Sequence, residues 1–81
     1  MTKREKALSR IKENPKNVRF SELDRILLDI GFEKRQKGSH AVYSYPGYPP
    51  ITVPSRKPFL LQVYVKNAVQ VIERIIQDFD E

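Results

Sequence analysis

The chain has no cysteine, no tryptophan, one histidine, one methionine and three glycines among its 81 residues. Without cysteine there is neither a disulfide framework nor a thiolate metal site. One histidine does not supply the imidazoles of a usual zinc site, so neither a metal nor another cofactor is expected. No apolar run approaches the roughly 20 residues that cross a bilayer, so no membrane association is expected. The start, Met1-Thr2-Lys3-Arg4-Glu5-Lys6, is charged, but no uninterrupted apolar stretch follows it. That is not a signal-peptide pattern, and the expected compartment is the cytoplasm.

Charge is unevenly balanced along the chain. The formal net charge is +5, and residues 1–40 carry all of it; Lys and Arg balance Asp and Glu over residues 41–81. A basic half suits a polyanion such as nucleic acid, or an acidic protein. Excess charge kept for solubility alone is the plainer reading.

A chain of this length forms one domain, taken as 1–81, and buries only roughly 60% of its unfolded surface. Thr2 to Asn14 reads as a short helix with Ala7, Leu8 and Ile11 on one face, and Pro15 stops it. This helix, 1–15, is taken as an extension of a core spanning 20–79. Val18 and Phe20 are candidate anchors in the connector. Ser21 reads as the N-cap of a second helix, whose stripe is Leu23, Ile26, Leu27 and Ile30. Gly31 stands at its left-handed C-cap, with Phe32 folding back on the last turn.

Three short strands follow, Phe32–Gln36, His40–Tyr45 and Ile51–Val53, as an antiparallel meander. Pro46-Gly47 and Pro54 punctuate them. Ser55 to Gln62 reads as a loop. A final helix from Tyr64 to Phe79 carries Val65, Ala68, Val69, Ile72, Ile75, Ile76 and Phe79 at helical spacing. Asp78, Asp80 and Glu81 sit at its negative end, which predicts fraying. The expected fold is α+β: an extra N-terminal helix, then α-β-β-β-α, with the helices packed on one face of the sheet.

Within this frame Lys37-Gly38-Ser39-His40 is the stretch able to carry chemistry. It closes a basic run, Lys34, Arg35 and Lys37, and opens the second strand. Side chains alternate along a strand, so Ala41, Tyr43 and Tyr45 share one face, and His40, Val42 and Ser44 the other. Two tyrosines and an alanine favour the first face as core, which turns His40 away from it; with Val42 marking the core instead, His40 would point inward at the sheet's edge. Tyr48, in the Pro46–Pro50 turn, is the tyrosine expected to be open for base stacking.

RNA is cut without metal when a 2′-hydroxyl attacks its adjacent phosphate. That step needs a base, an acid and cations for the charge on the phosphorane. Histidine has the suitable pKa, and Lys34, Arg35, Lys37 and Arg56 could supply charge. Gly38 lets the backbone approach a phosphate, and Ser39 adds a hydroxyl. One imidazole cannot be base and acid in the same step, so a lysine or a water must take the other role. Against this stands a plain alternative: His40 as a polar residue at a strand start, with Gly38-Ser39 an ordinary turn.

Phe20-Ser21-Glu22-Leu23 through Gly31-Phe32, then Gln36-Lys37-Gly38-Ser39-His40-Ala41-Val42-Tyr43, then Thr52-Val53-Pro54, resembles the HicA family of type II toxin–antitoxin toxins. The likeness covers about residues 20–75. It implies a double-stranded-RNA-binding-like α-β-β-β-α fold and an endoribonuclease that cleaves mRNA and arrests translation. It makes His40 the residue on which activity depends. It also implies a HicB-like antitoxin partner, with room for an oligomeric complex. Many members carry a second histidine soon after the Val-Pro of the third strand; here Val53-Pro54 leads into Ser55-Arg56-Lys57. The alternatives are a non-catalytic RNA-binding module and an interaction domain for an acidic protein.

Overall fold

The computed structural model describes residues 2–79; Asp80 and Glu81, part of the acidic end expected to fray, lie outside them. Its elements are α1 (Lys3–Glu13), α2 (Phe20–Ile30), β1 (Glu33–Lys37), β2 (His40–Ser44), β3 (Ile51–Pro54) and α3 (Gln62–Phe79). The strands form one antiparallel sheet in the order β1-β2-β3. The architecture is therefore α+β, with three helices and a three-stranded antiparallel sheet.

The helix ends follow from local hydrogen bonding. Thr2 has extended backbone geometry, and its side-chain oxygen accepts from the Glu5 N–H at 3.2 Å, which caps α1. The N-cap of α2 differs from expectation. Arg19 holds that position, and Ser21 lies inside the first turn. The cause is Glu22, the third helical residue, whose carboxylate accepts from the Arg19 backbone N–H at 3.2 Å. This is the glutamate half of a capping box; a guanidinium has no acceptor to complete it.

At the other end Gly31 adopts φ 116° and ψ 15°. The Phe32 N–H reaches Leu27 O at 3.1 Å, and the Gly31 N–H reaches Leu28 O at 3.1 Å, a Schellman closure. Phe32 is buried as the apolar partner of this cap, so β1 starts one residue later than its sequence suggests.

One apolar cluster joins all the layers. Ala41 and Tyr43 of β2 and Ile51 and Val53 of β3 pack with Leu23 and Leu27 of α2 and Val65, Ala68 and Ile72 of α3. α1 is more than an appendage, because Ile11 is 1% exposed within the same cluster. Lys12–Glu73 at 2.6 Å and Arg10–Glu22 at 3.2 Å flank its contacts with α3 and α2. Val18 is fully buried, and its carbonyl accepts from the Leu60 N–H at 2.8 Å. That bond ties the α1–α2 connector to the loop before α3. α3 itself starts at Gln62, two residues earlier than expected.

Candidate functional site

The strand register decides which side chains can meet. β1 and β2 pair as Lys37 with His40, Arg35 with Val42 and Glu33 with Ser44; β2 and β3 pair as His40 with Pro54 and Val42 with Thr52. Directly paired residues share a face, with Cβ atoms about 4.5–5.5 Å apart. Ala41 and Tyr43 are buried against the helices, so His40, Val42 and Ser44 stand on the other, open face. This is the face expected for His40. Arg35 and Lys37 join it there, Lys37 directly opposite and Arg35 on the diagonal. A shallow depression of about 230 Å³ along β1 and β2 is lined by Glu33, Lys34, Arg35, Lys37, Val42 and Ser44. Glu33 is the one acid in that lining, and the register puts it at the end of the sheet farthest from His40.

His40 is exposed, and among the described residues no hydrogen bond holds its imidazole. Its two ring nitrogens are available to a ligand. The preceding turn is a two-residue hairpin loop, Gly38-Ser39. Positive φ falls on its first position alone, Gly38 at 58°, as in a type II′ turn. The Gln36 side-chain amide donates to Gly38 O at 3.0 Å, and the Ser55 N–H donates to Ser39 O at 2.7 Å. The second bond carries the β3 exit to the turn and delivers Arg56 beside it. His40, Lys37 and Arg35 thus share the open face, and Ser39 and Arg56 lie at the turn end of the sheet, where Arg56 also meets the start of α2.

Lys34 is not among them. It pairs with Tyr43, which puts it on the helix-covered face. Its ammonium lies 2.8 Å from Asp24 Oδ1 and 5.3 Å from the centre of the Phe20 ring. Asp24 also accepts from the Tyr43 hydroxyl at 2.5 Å. Burial, and then this bond to a carboxylate, push the Tyr43 phenol well above its ordinary range. Lys34, Asp24 and Tyr43 form a linkage that fastens α2 to the sheet. Sequence reasoning counted Lys34 with the phosphate ligands and missed this linkage, because a polar strand reading Glu-Lys-Arg-Gln-Lys has no apolar alternation to show which side faces the core.

Tyr48 is also engaged. Its hydroxyl donates to Asp78 near the end of α3, and that contact raises its pKa. Its ring meets Tyr45 edge-on with centroids 5.7 Å apart, and Tyr45 in turn contacts Phe32 and Phe79. The expected stacking tyrosine is therefore part of an aromatic cluster that pins the β2–β3 loop to α3.

Among the described residues no group of three His, Cys, Asp or Glu side chains is placed to hold a metal ion, and no helix is long and apolar enough to cross a membrane. Comparisons with protein-family models, with curated proteins and with solved structures found no match.

Proposed function

We propose that this protein is a toxin of the HicA type: a metal-independent endoribonuclease that cleaves mRNA, halts translation and is neutralised by a HicB-like antitoxin. The observation that carries the reading is the position of its single histidine, on the open face of the sheet, opposite Lys37 and diagonal to Arg35. The motif resemblance around Gly38-Ser39-His40 supplies the reaction, and the face supplies room for an RNA strand.

In this reading His40 takes the proton from a ribose 2′-hydroxyl. The 2′-oxygen then bonds to the adjacent phosphorus, and the bond to the 5′-oxygen breaks. The leaving oxygen is protonated by a second group, for which the Lys37 ammonium, directly across the ladder, is the candidate. Lys37 and Arg35 stabilise the charge on the phosphorane, with Arg56 and the Ser39 hydroxyl at the turn end of the site. The Lys34 charge is spent on Asp24, so it has no part in this step. A HicB-like antitoxin would neutralise the toxin by covering the same face.

The test is His40→Ala, with folding confirmed by circular dichroism. Loss of a general acid–base group lowers cleavage by about 10²–10⁴-fold and abolishes growth arrest. The wild-type products end in a 2′,3′-cyclic phosphate. Full toxicity in the variant, or 3′-hydroxyl ends, refutes the mechanism. RNA binding without cleavage by the wild type would make the protein a binding module instead.

A further inference from the structure

A second concave surface lies near the His40 site, and of its lining only Arg56 has a part in the step just described. It is a groove of about 670 Å³ between the start of α2 and the loop after β3, lined by Arg19, Phe20, Ser21, Arg56, Lys57 and Pro58. Three of those six residues are cations and none is an acid. Among the described residues none of the three is in an ion pair, whereas Arg10, Lys12 and Lys34 all are. Arg19 is held with its guanidinium carbon 5.9 Å from the centre of the Phe59 ring. Phe20 and Pro58 add apolar surface beneath the charges.

We propose that this groove is a second RNA subsite, which takes a nucleotide of the same strand one or two positions from the scissile phosphate. The proposal rests on the ribonuclease reading for its ligand. Two features select RNA. A positive groove with an aromatic ring in its wall is how single strands are held without sequence preference: cations take the phosphate and the ring takes the base. The groove also lies at the same end of the sheet as His40. Pro54 pairs with His40, Ser55 is bonded to Ser39, and Arg56 and Lys57 follow at once. A strand that crosses His40 and turns round this end of the sheet reaches it. Arg56 stands between the two sites and serves both.

The test uses Arg19→Gln/Lys57→Gln in the full chain on a His40→Ala background, so that RNA is bound and not cut. Lys57→Gln alone serves as a second, milder variant. Binding of a short single-stranded RNA and of a dinucleotide is measured over a salt series, with thermal unfolding as the folding control. The double variant is expected to bind the longer RNA roughly tenfold more weakly, and its slope of log affinity against log salt to fall by about 0.7–1.4, at ~0.7 per phosphate. Dinucleotide binding is expected to stay the same, and the single variant to show part of the effect. An unchanged slope and affinity for the longer RNA overturns the subsite and leaves the nuclease reading standing. The expected loss, in a protein whose wild type cuts no RNA, keeps the subsite and refutes the nuclease. Loss of an acidic protein partner with RNA binding unaltered overturns the subsite in favour of a protein contact. Failure of the His40→Ala protein to bind RNA at any salt overturns both.

Discussion

Lys34 and Lys37 are three residues apart on the same strand, yet they have opposite expected fates. Replacing Lys34 by Met keeps the aliphatic stem and removes the charge. The lost ion pair with Asp24 is partly screened, since the two side chains are 29% and 21% exposed, so it contributes about 1 kcal/mol. The lost ammonium–ring contact with Phe20 adds about 0.5–1 kcal/mol. The Tyr43 hydroxyl still satisfies Asp24, which limits the damage. The total is about 1–2 kcal/mol, and for a domain of this length that lowers Tm by about 4–15 °C. RNA affinity and its salt slope should not move. Lys37→Met should do the reverse: an unchanged Tm, and a slope of log affinity against log salt reduced by about 0.7. Thermal unfolding by circular dichroism and RNA binding over a salt series read both effects. If Lys34→Met lowers the salt slope as much as Lys37→Met while Tm stays put, the assignment of the two faces of β1 is wrong.

Other outcomes follow from the same structure. The Tyr43 phenol holds its proton in the folded chain at a pH where the unfolded chain releases it. Its contribution is therefore complete below pH about 10 and is lost as pH rises from there toward the folded-state value. Phenolate absorbance from one of the four tyrosines should appear only together with alkaline unfolding, and a spectrum in which all four ionise before the fold is lost would contradict this. Tyr43→Phe should cost about 1–2 kcal/mol at neutral pH, because a hydrogen bond to a carboxylate is removed while Asp24 keeps Lys34. A Cβ at position 38 would meet nothing within 4 Å, but φ there is +58°. Gly38→Ala should thus cost about 1 kcal/mol in chemical denaturation through backbone conformation alone, and an unchanged midpoint would show that the turn relaxes freely.

Where the sequence carried an unambiguous local signal, it also located the structure. Gly31 after the Leu23-Ile26-Leu27-Ile30 stripe marked a helix end to the residue. The alternation Ala41-Val42-Tyr43-Ser44 oriented β2 and, with it, His40. β1 had no such signal: all five of its residues are exposed, so only pairing with β2 fixes its faces. That is why Arg35 and Lys37 could not be separated from Lys34 beforehand. The Ser21 cap was misplaced because serine is the better capping side chain, whereas Glu22 selects Arg19 through its own backbone contact. The early start of α3 leaves no sequence signal, because Leu61-Gln62-Val63 has neither a capping residue nor a buried periodic position; Val63 is 63% exposed. The groove at Arg19, Arg56 and Lys57 joins segments nearly 40 positions apart, and no spacing rule connects them.

The outer edge of β1 has a consequence for the behaviour of the protein at high concentration. β1 pairs on one side only, so its other side presents free backbone donors and acceptors, which is how sheets recruit further chains. Glu33-Lys34-Arg35-Gln36-Lys37 places a charge at four of its five positions, and three of the four are positive. Two copies approaching edge to edge would bring like charges together in most registers. The cations that make the open face basic thus also guard the strand against edge-to-edge pairing. A variant stripped of Arg35 and Lys37 would lose that guard and is expected to self-associate more readily at high concentration.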